Sequence, residues 1–473
     1  ATFVVILNET IMVNALPVLM ESLRIDARAA QWLSTGFMLT MAVVIPTTGW
    51  FLQRVGRRTA FIVAMTSFAA GTLLAALAPT FAWLLVGRVV QACGTAIMMP
   101  LLMSSVLALV PASHRGRIMG NVSLAISVAP AMGPAVSGVI LGFASWRWLF
   151  GVVLPIAVLI GLVGARMLRA PHLADADSQT TDGGTRQEPS NALDVPSVLL
   201  TVLGFGGLVY GLSHLGEHSD GALGLPVIAL VVGIVGVSLF TWRQLTLQRR
   251  ATPLLDLRVL THRTYLLSVS IMALAFMGLM GAMIMLPMYF QEVRGMTTLQ
   301  AGLMLMPGGL VMGLLGPVVG RLYDRVGPAR LVIPGAFALA CGLGLLAWST
   351  THGPWWLFLV LHVGMSVALA FIFTPVFTAG LSVLPSHLYS HGSALLGTLQ
   401  QVAAAAGTAL VITVMSVRTA TLVAAGGEPT ASLGIGIQTG LLVGTGLAVA
   451  VAFLSLLFVR VRVEANGPAP VAH

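Results

Sequence analysis

Charged residues are scarce in this sequence of 473 residues, and lysine is absent, so all 24 basic residues are arginines. Only 8% of the residues are charged and 57% are hydrophobic, whereas a soluble domain has roughly 25% charged residues. The mean hydropathy is +0.96. Such a chain is unable to cover itself with a polar surface, which predicts an integral membrane protein.

The absence of lysine also excludes one class of pump. A P-loop ATPase needs a lysine in its phosphate-binding loop, so this chain by itself is not an ATP-driven transporter. The two cysteines, Cys93 and Cys341, lie in separate apolar runs and indicate neither a disulfide framework nor a metal site. We find no enzyme motif, and we predict no catalytic residue, no metal and no cofactor.

Fourteen apolar runs are long enough to cross a membrane, because a spanning helix needs about 20 residues. Polar and apolar residues do not alternate along them, which excludes a β-barrel and predicts an all-α bundle. The runs are residues 1–20, 31–52, 58–78, 81–109, 118–143, 148–168, 194–215, 223–243, 264–290, 299–320, 329–349, 354–377, 391–417 and 433–459.

The arginines lie mainly on one side of the predicted bundle. Eighteen fall in loops and a tail on the side of the amino terminus, five on the other side, and Arg88 within a span. Positively charged loops stay in the cytoplasm, so we expect both termini there and no nucleic acid partner despite the net charge of +9. No basic segment precedes the run at Ala1, so we expect a hydrophilic tail before it rather than a signal peptide.

Two loops on this side repeat one pattern, G-x-x-x-[Q/D]-R-V-G. GWFLQRVGRR follows the second run and GRLYDRVGPA the tenth. Such repeats mark the halves of a transporter, and two six-helix halves would place the second copy after the eighth span. Two extra helices therefore separate the halves. The predicted segments are a first half (1–168), a cytoplasmic linker (169–193), two additional helices (194–243), a second cytoplasmic linker (244–263), a second half (264–459) and a cytoplasmic tail (460–473).

These motifs resemble the major facilitator superfamily. GWFLQRVGRR is similar to its signature loop between the second and third helices, LVGRVVQACGTA to its arginine-bearing fourth-helix motif, and SVAPAMGPAVSG to the antiporter motif of its fifth helix. The segments LNETIMVNALP, WRWLFGVVLP, PLLDLRVL and AGLMLMPGGLVMGLLGPVVGRLYDRVG resemble the fourteen-helix drug:proton antiporters (QacA/EmrB-like), close to the lincomycin-resistance exporters. The resemblance covers nearly the whole chain and implies the major facilitator fold with two extra helices.

The resemblance also assigns roles to motif positions. Gln53 departs from the family, which has an acid there, whereas Asp324 keeps the acid. Because an acid can bond a helix amino terminus and pair with arginine, we expect a weaker brace in the first half. Ala129, Ala131 and Ser137 stand where the family often has glycine, and their small size still allows close helix approach. The conformational-switch loops would comprise Gly49, Gln53, Arg54, Gly56, Arg57, Gly320, Asp324, Arg325 and Gly327, and the antiporter motif Pro130, Gly133, Pro134 and Gly138.

Glu9 is an acid inside the first span, roughly 18 Å from the outer end of that helix. An ionised carboxylate at the membrane centre costs at least ~2.5–3.5 kcal/mol, so this residue is either a protonated structural carboxyl or a functional one. A cycle that alternates burial with the approach of a cation would load and release a proton, and the resemblance implies that proton-coupling role. Arg88 is the candidate partner, unless it only snorkels to the nearer membrane surface.

Substrate contacts are predicted at polar residues inside spans and at two aromatic residues, because transporter pockets are mostly apolar with a few polar groups. The 23 methionines suit a promiscuous pocket, although packing is the simpler explanation for any single one. The candidates are Trp32, Phe37, Gln91, Tyr289, Gln291, His362, Gln400 and Gln401.

The sequence therefore predicts a proton-coupled antiporter of the bacterial inner membrane that exports amphipathic or lipophilic drugs by alternating access. The proton gradient supplies the energy, and the expected partners are lipophilic or cationic small molecules, protons and the lipid bilayer around a monomer. The alternatives are an exporter of an endogenous lipid, siderophore or antibiotic, a facilitator without coupling, and a non-transporting membrane sensor or receptor.

Overall fold

The computed structural model describes residues 1–25, 27–111, 114–167, 194–214, 224–249 and 253–459, and long helices dominate these ranges. The predicted linker 169–193 and the predicted tail 460–473 lie outside the described ranges. Short 3-10 helices lie at Leu257–Thr261, Ser386–Leu388 and Leu457–Val459. The long helices are α1 (Thr2–Leu23), α2 (Ala27–Ala76), α3 (Phe81–Leu109), α4 (Arg115–Phe143), α5 (Arg147–Met167), α6 (Val195–His214), α7 (Gly224–Gln248), α8 (Arg263–Val293), α9 (Thr298–Val326), α10 (Ala329–His352), α11 (Trp355–Ser382), α12 (Tyr389–Ala424) and α13 (Pro429–Leu456).

The all-α prediction is confirmed, but the predicted number of fourteen spans is not. In the described ranges, eleven helices are long and apolar enough to cross a membrane. One of them, within α2, covers two predicted spans, and the apolar helix Thr2–Met12 in α1 is shorter than a full span. The 29-residue helix α4 is not among the eleven.

The two copies of the repeated loop end on the same backbone conformation. Gly56 interrupts α2 with φ 72° and ψ 161°, and Gly327 terminates α9 with φ 78° and ψ 175°. Residues with a Cβ rarely adopt a positive φ, so the pattern needs glycine at this position. We call the end of the bundle that carries these two glycines the arginine-loop end.

Two helices of the second half begin with side chains that cap their free backbone N–H groups. Thr297 and Gln300 form a reciprocal capping box at the start of α9. The Glu428 carboxylate accepts hydrogen bonds from the backbone N–H groups of Ala431 (2.6 Å) and Thr430 (3.0 Å) at the start of α13. These bonds hold the pKa of the Glu428 carboxyl below its usual value.

The first half (α1–α5) and the second half (α8–α13) meet along two seams. In the α4–α9 seam, glycines of the two helices face each other with their backbones in contact. A Cβ on Gly320 would lie 2.0 Å from the Gly116 carbonyl oxygen, and one on Gly120 would lie 2.2 Å from the Gly316 carbonyl oxygen. In the α2–α12 seam, Gly49 instead faces the imidazole of His391.

The helices α6 and α7 form a hairpin that packs against both halves. Glycine pairs bring the two helices together: Gly204 lies against Gly236, and Gly207 against Gly233. On its other side α6 contacts α2 and α12, and the rings of Tyr210 and Trp32 lie 5.7 Å apart. The hairpin thus lies beside the α2–α12 seam.

A polar cluster fastens this hairpin at its base. The Arg243 guanidinium donates two hydrogen bonds to the Asp194 carboxylate, of 2.8 and 2.6 Å, and holds the pKa of that carboxyl below its usual value. The Gln244 side-chain oxygen accepts from the backbone N–H groups of Leu254 (2.8 Å) and Leu255 (3.2 Å). The PLLDLRVL segment is therefore tied to α7.

Candidate functional site

Arg88 is the centre of a polar cluster inside the first half. Its side chain on α3 is only 1% exposed. The guanidinium lies over the ring of Phe37, 4.2 Å from the centroid, and donates hydrogen bonds to Gln91 Oε1 (2.8 Å) and the Leu33 carbonyl oxygen (3.5 Å). Arg88 therefore does not snorkel to the membrane surface, because buried partners on α2 and α3 hold its head group.

Gln91 also links Arg88 to α2 by a hydrogen bond. Its Nε2 donates to Thr72 Oγ1 (2.8 Å), and the Thr72 hydroxyl donates to the Phe68 carbonyl oxygen (2.6 Å). Glycines bring the two helices close enough for this contact: a Cβ on Gly71 would lie 2.4 Å from the backbone nitrogen of Gln91. Close α2–α3 packing thus fixes both Gln91 and, through it, Arg88.

Glu9 lies on α1 among other polar groups of the same segment. Its side chain is half-buried, whereas the neighbouring Asn8 is 2% exposed. The Asn8 amide nitrogen has no hydrogen-bond partner within the described residues. Thr10 donates to the Leu7 carbonyl oxygen (2.9 Å) and packs against Gly133 of α4.

Glu9 and Arg88 are close enough to interact electrostatically. No N···O contact of 4.0 Å or less joins them in the described part of the chain, so they are neighbours without a direct ion pair.

The predicted substrate residues of the first half divide into two places. Phe37 and Gln91 both join the Arg88 cluster. Trp32 instead lies against the hairpin, with its ring 5.7 Å from Tyr210 and 6.1 Å from His214. The substrate roles of all three residues stay predictions.

In the second half, Tyr289 and Gln291 lie in a π-helical turn at the end of α8 opposite the arginine-loop end. The Tyr289 hydroxyl donates to the Thr350 carbonyl oxygen (3.0 Å) and accepts from Arg294 Nε (2.9 Å), and its ring stacks on Phe358 at 4.7 Å. Gln291 Nε2 donates to the Pro287 carbonyl oxygen (3.3 Å). Tyr289 thus packs α8 against two other helices, and the substrate roles of both residues stay predictions.

The other predicted substrate residues of this half lie on α11 and α12. His362 Nε2 is 3.2 Å from the Leu305 carbonyl oxygen of α9, and the missing side chain of Gly308 makes room for its imidazole. Gln400 and Gln401 are half-buried on α12, about two turns beyond His391. Their substrate roles also stay predictions.

The predicted switch loops meet the opposite half at the arginine-loop end. The Asp324 carboxylate accepts from the backbone N–H groups of Gly116 and Arg117, each at 2.9 Å, at the start of α4. Gln53 Nε2 donates to the His387 carbonyl oxygen (2.9 Å). Of the remaining switch residues, Arg54 lies over the Trp50 ring, Arg57 is half-buried, Arg325 is exposed, and Gly49, Gly56, Gly320 and Gly327 occupy the backbone positions described above.

The antiporter motif lies within α4. Gly133 is buried against Thr10 of α1, and Gly138 is exposed with open space around its Cα. The side chains of Pro130 and Pro134 lie outside the described part of the structure. The motif thus brings α4 close to the helix that carries Glu9.

Sequence reasoning missed two kinds of site residue. Thr72 and Asn8 belong to the polar cluster and the Glu9 segment, but a single small polar residue in an apolar run is a weak signal. The Leu33 carbonyl has no side-chain signature at all.

A two-half bundle of long apolar helices, with Arg88 buried and Glu9 half-buried inside its first half, is typical of a membrane transporter. Residues 1–408 match the Major Facilitator Superfamily, and this chain belongs to that family. It is therefore a multi-pass membrane transporter, as the resemblance predicts.

Relatives with resistance functions match most of the chain. It is 37% identical to the lincomycin resistance protein LmrB of Listeria innocua over 465 residues, which cover 97% of this chain and 95% of the relative. It is 36% identical to LmrB of Bacillus subtilis over 417 residues, covering 88% and 84%. The multidrug resistance protein B homolog of Mycobacterium tuberculosis is 30% identical over 385 residues, covering 80% and 68%.

Two solved structures share the fold. The human organic anion transporter MFSD10 superimposes with a TM-score of 0.66 at 16% identity, covering 96% of each chain. The proton:xylose symporter XylE superimposes with a TM-score of 0.60 at 17% identity, covering 97% of this chain and 94% of the symporter. At these identities the similarity shows the major facilitator fold alone.

Proposed function

We propose that this chain is a proton-coupled antiporter that exports amphipathic or lipophilic drugs, often cationic ones, by alternating access. The observation that carries the proposal is Glu9, an acid within the first helix and in electrostatic reach of the buried Arg88. The resistance functions named for the relatives support drugs as the exported class.

The Glu9 carboxylate would couple proton binding to conformation. A charged carboxylate inside the bundle is costly unless water or a cation stabilises it. When the first half moves so that Glu9 and Arg88 part, the neutral carboxylic acid is favoured; when they approach, the carboxylate is favoured. The proton is thus taken up in one state and released in the other. The fixed position of Arg88 makes α1 the element whose movement changes the distance.

The conformation supports an alternating cycle. Contacts between the halves at the arginine-loop end include Asp324 on the start of α4 and Gln53 on the His387 carbonyl. If that end faces the cytoplasm, as the arginine distribution predicts, this is the state that is closed to the cytoplasm. The opposite state requires these contacts to break.

We also propose fourteen membrane crossings, with both termini in the cytoplasm of a bacterial cell and the protein acting as a monomer. The break at Gly56 supports two crossings within α2. The helices α1 and α4, at 22 and 29 residues, are both long enough to span a bilayer. The hairpin α6–α7 then supplies the two extra crossings between the halves.

The test is efflux from proteoliposomes, with proton flux recorded in parallel. Lincomycin, lipophilic cations and neutral lipophilic drugs would be loaded in turn, and an imposed pH gradient would drive transport. We expect Glu9→Gln to abolish gradient-driven efflux while substrate binding remains measurable. Glu21→Gln is the matched control, because Glu21 is an exposed acid on the same helix. Full pH-driven efflux by Glu9→Gln would refute the coupling role.

A further inference from the structure

His391 lies in the first turn of α12, at the α2–α12 seam, and is only 4% exposed. Its ring packs directly on the backbone of α2: a Cβ on Gly49 would lie 2.5 Å from His391 Nδ1. Nδ1 has no hydrogen-bond partner within the described residues. A titratable ring is thus buried by the opposite half of the protein without satisfying one of its two nitrogens.

Contacts between the halves surround this imidazole. Gln53 donates to the His387 carbonyl oxygen (2.9 Å) on one side, and Ser393 donates to the Pro100 carbonyl oxygen (3.3 Å) on the other. The Arg115 guanidinium lies 3.3 Å from the Tyr389 hydroxyl in the same turn. All three contacts join α12 or the turn before it to the first half. Separation of the halves at the arginine-loop end would therefore expose His391 to water.

The charged and titratable groups around His391 come from each neighbouring element. Asp256 and His387 act on it electrostatically, and Asp256 is already bonded to Gln248 Nε2 (3.0 Å) and the Arg258 backbone N–H (2.9 Å). The Tyr265 hydroxyl of α8 donates to the Gly392 carbonyl oxygen (2.7 Å). Arg115 lies at the hydroxyl of Tyr389, two residues before His391, and α2 contributes the uncharged Gly49 and Gln53.

We propose that His391 is a second protonation site, separate from Glu9, which binds a proton only when the halves are apart at the arginine-loop end. The closed seam accommodates the neutral ring, because an imidazolium pressed on Gly49 would lose its hydration without gaining a hydrogen bond at Nδ1. The proton on His391 therefore opposes closure. This inference rests on the proposed alternating-access cycle, since it needs a state in which that end is open.

The direction of the effect follows from this asymmetry. In water an imidazole takes up a proton at a pH of about 6.5. If the closed state accepts only the neutral ring, the closed-to-open ratio is unaffected at pH 8. It then falls by about tenfold at pH 5.5, because one proton is excluded on closure. A cytoplasm acidified by proton entry would thus hold that end open and slow the antiporter.

The test is a distance across the arginine-loop end, measured between spin labels at Thr59→Cys and Ser386→Cys, two exposed positions on opposite halves. The full chain would be placed in nanodiscs, with Cys93 and Cys341 replaced by alanine. All samples would carry Glu9→Gln, which removes the pH response of the first site. We expect the long-distance population to grow about tenfold relative to the short one between pH 8 and pH 5.5.

Two variants and one control decide the outcome. His391→Asn and His391→Gln keep a polar side chain that does not titrate, so both are expected to remove this pH response. His387→Asn is the matched control: it removes an exposed imidazole that acts on His391 but keeps His391 itself, so the pH response is expected to persist. If both His391 variants keep the same pH response as the Glu9→Gln protein, the inference is overturned and the proposed cycle still stands. A distance that stays short at every pH, and also with saturating lincomycin, contradicts the cycle itself.

Discussion

The two copies of the repeated loop occupy equivalent positions in the halves, yet they contact the opposite half differently. In the second copy, Gly320 touches the backbone of Gly116, so the helices α4 and α9 meet without intervening side chains. In the first copy, the equivalent Gly49 touches the side chain of His391. At these positions one seam is a contact between backbones, and the other contains a buried imidazole ring.

The polar contacts that the two loops make with the opposite half also differ. The Asp324 carboxylate accepts two N–H groups at the start of α4, where a negative charge is favoured by the helix dipole. Its counterpart Gln53 donates a single hydrogen bond to a carbonyl oxygen. We therefore expect the α4–α9 seam to be the stronger of the two at the arginine-loop end. The α2–α12 seam is then the one that conditions such as pH would modulate.

The largest expected effect comes from adding a methyl group to the stronger seam. In Gly320→Ala the new Cβ would lie 2.0 Å from the Gly116 carbonyl oxygen. The two helices would have to move apart to relieve this overlap. Overpacking of this kind costs up to ~3 kcal/mol, so the closed-to-open ratio should fall by about a hundredfold. The Thr59–Ser386 spin-label distance measures it.

Gly49→Ala is the matched change in the weaker seam, and it should shift the ratio less, because the new Cβ would meet a side chain rather than a backbone oxygen. Gly446→Ala serves as a control in open space. An equal shift for Gly320→Ala and Gly49→Ala would show that the two seams do not differ as described.

Removing the charge from the stronger seam should have the next largest effect. Asp324→Asn keeps one acceptor oxygen but loses the charge-assisted bonds to Gly116 and Arg117. Hydrogen bonds to charged groups contribute about 1.5 kcal/mol or more, so the same distance measurement should show roughly a tenfold fall in the closed-to-open ratio. A ratio that matches the unmodified chain would remove Asp324 from the brace.

Removing the Gln53 hydrogen bond from the weaker seam should change the closed-to-open ratio less. Gln53→Ala removes one neutral hydrogen bond, worth about 1 kcal/mol, and should lower the closed-to-open ratio roughly fivefold. Gln53→Asp should not rescue it, although the family has an acid here, because the group that Gln53 contacts is itself an acceptor. If Gln53→Asp closes this end more tightly than the unmodified chain, the assignment of this contact is wrong.

The smallest effect is expected at the hairpin that lies beside the weaker seam. Asp194→Asn breaks the paired hydrogen bonds from Arg243, which are partly exposed and worth under ~1 kcal/mol. Arg243 lowers the pKa of Asp194. The contribution of this pair to the free energy of unfolding is therefore present above the usual carboxyl pKa, and it is lost as the pH falls through the lowered pKa. The thermal unfolding temperatures of the two proteins should therefore differ at pH 7 and converge only below a pH of about 4. A difference that disappears between pH 7 and pH 5 would contradict the assignment.

Much of the first-half site could be predicted from the sequence. Glu9 and Arg88 stand out because charges inside apolar runs are costly, and the structure brings them within electrostatic reach. The predicted substrate residues Gln91 and Phe37 both lie against Arg88, and their substrate roles stay predictions. A pattern of residues identifies polar positions in a span, but it does not tell a substrate contact from a contact that positions another side chain.

The seams between the halves were less accessible to sequence reasoning. The repeat predicts two equivalent loops, and Gly56 and Gly327 adopt matching conformations. Which glycines of α4 and α9 meet depends on the register of two helices about 200 residues apart, which no local pattern contains. The burial of His391 depends on the same tertiary contact, and so does the use of Gln53 as a donor.

The most direct test of the central claim is the number of protons that move with each substrate molecule. Purified protein in proteoliposomes would be supplied with a transported drug, and drug and proton fluxes would be recorded together for the unmodified chain, Glu9→Gln and Glu21→Gln. The account predicts a fixed proton-to-drug ratio for the unmodified chain and for Glu21→Gln, and no drug-dependent proton flux for Glu9→Gln. An unchanged ratio in Glu9→Gln would contradict it.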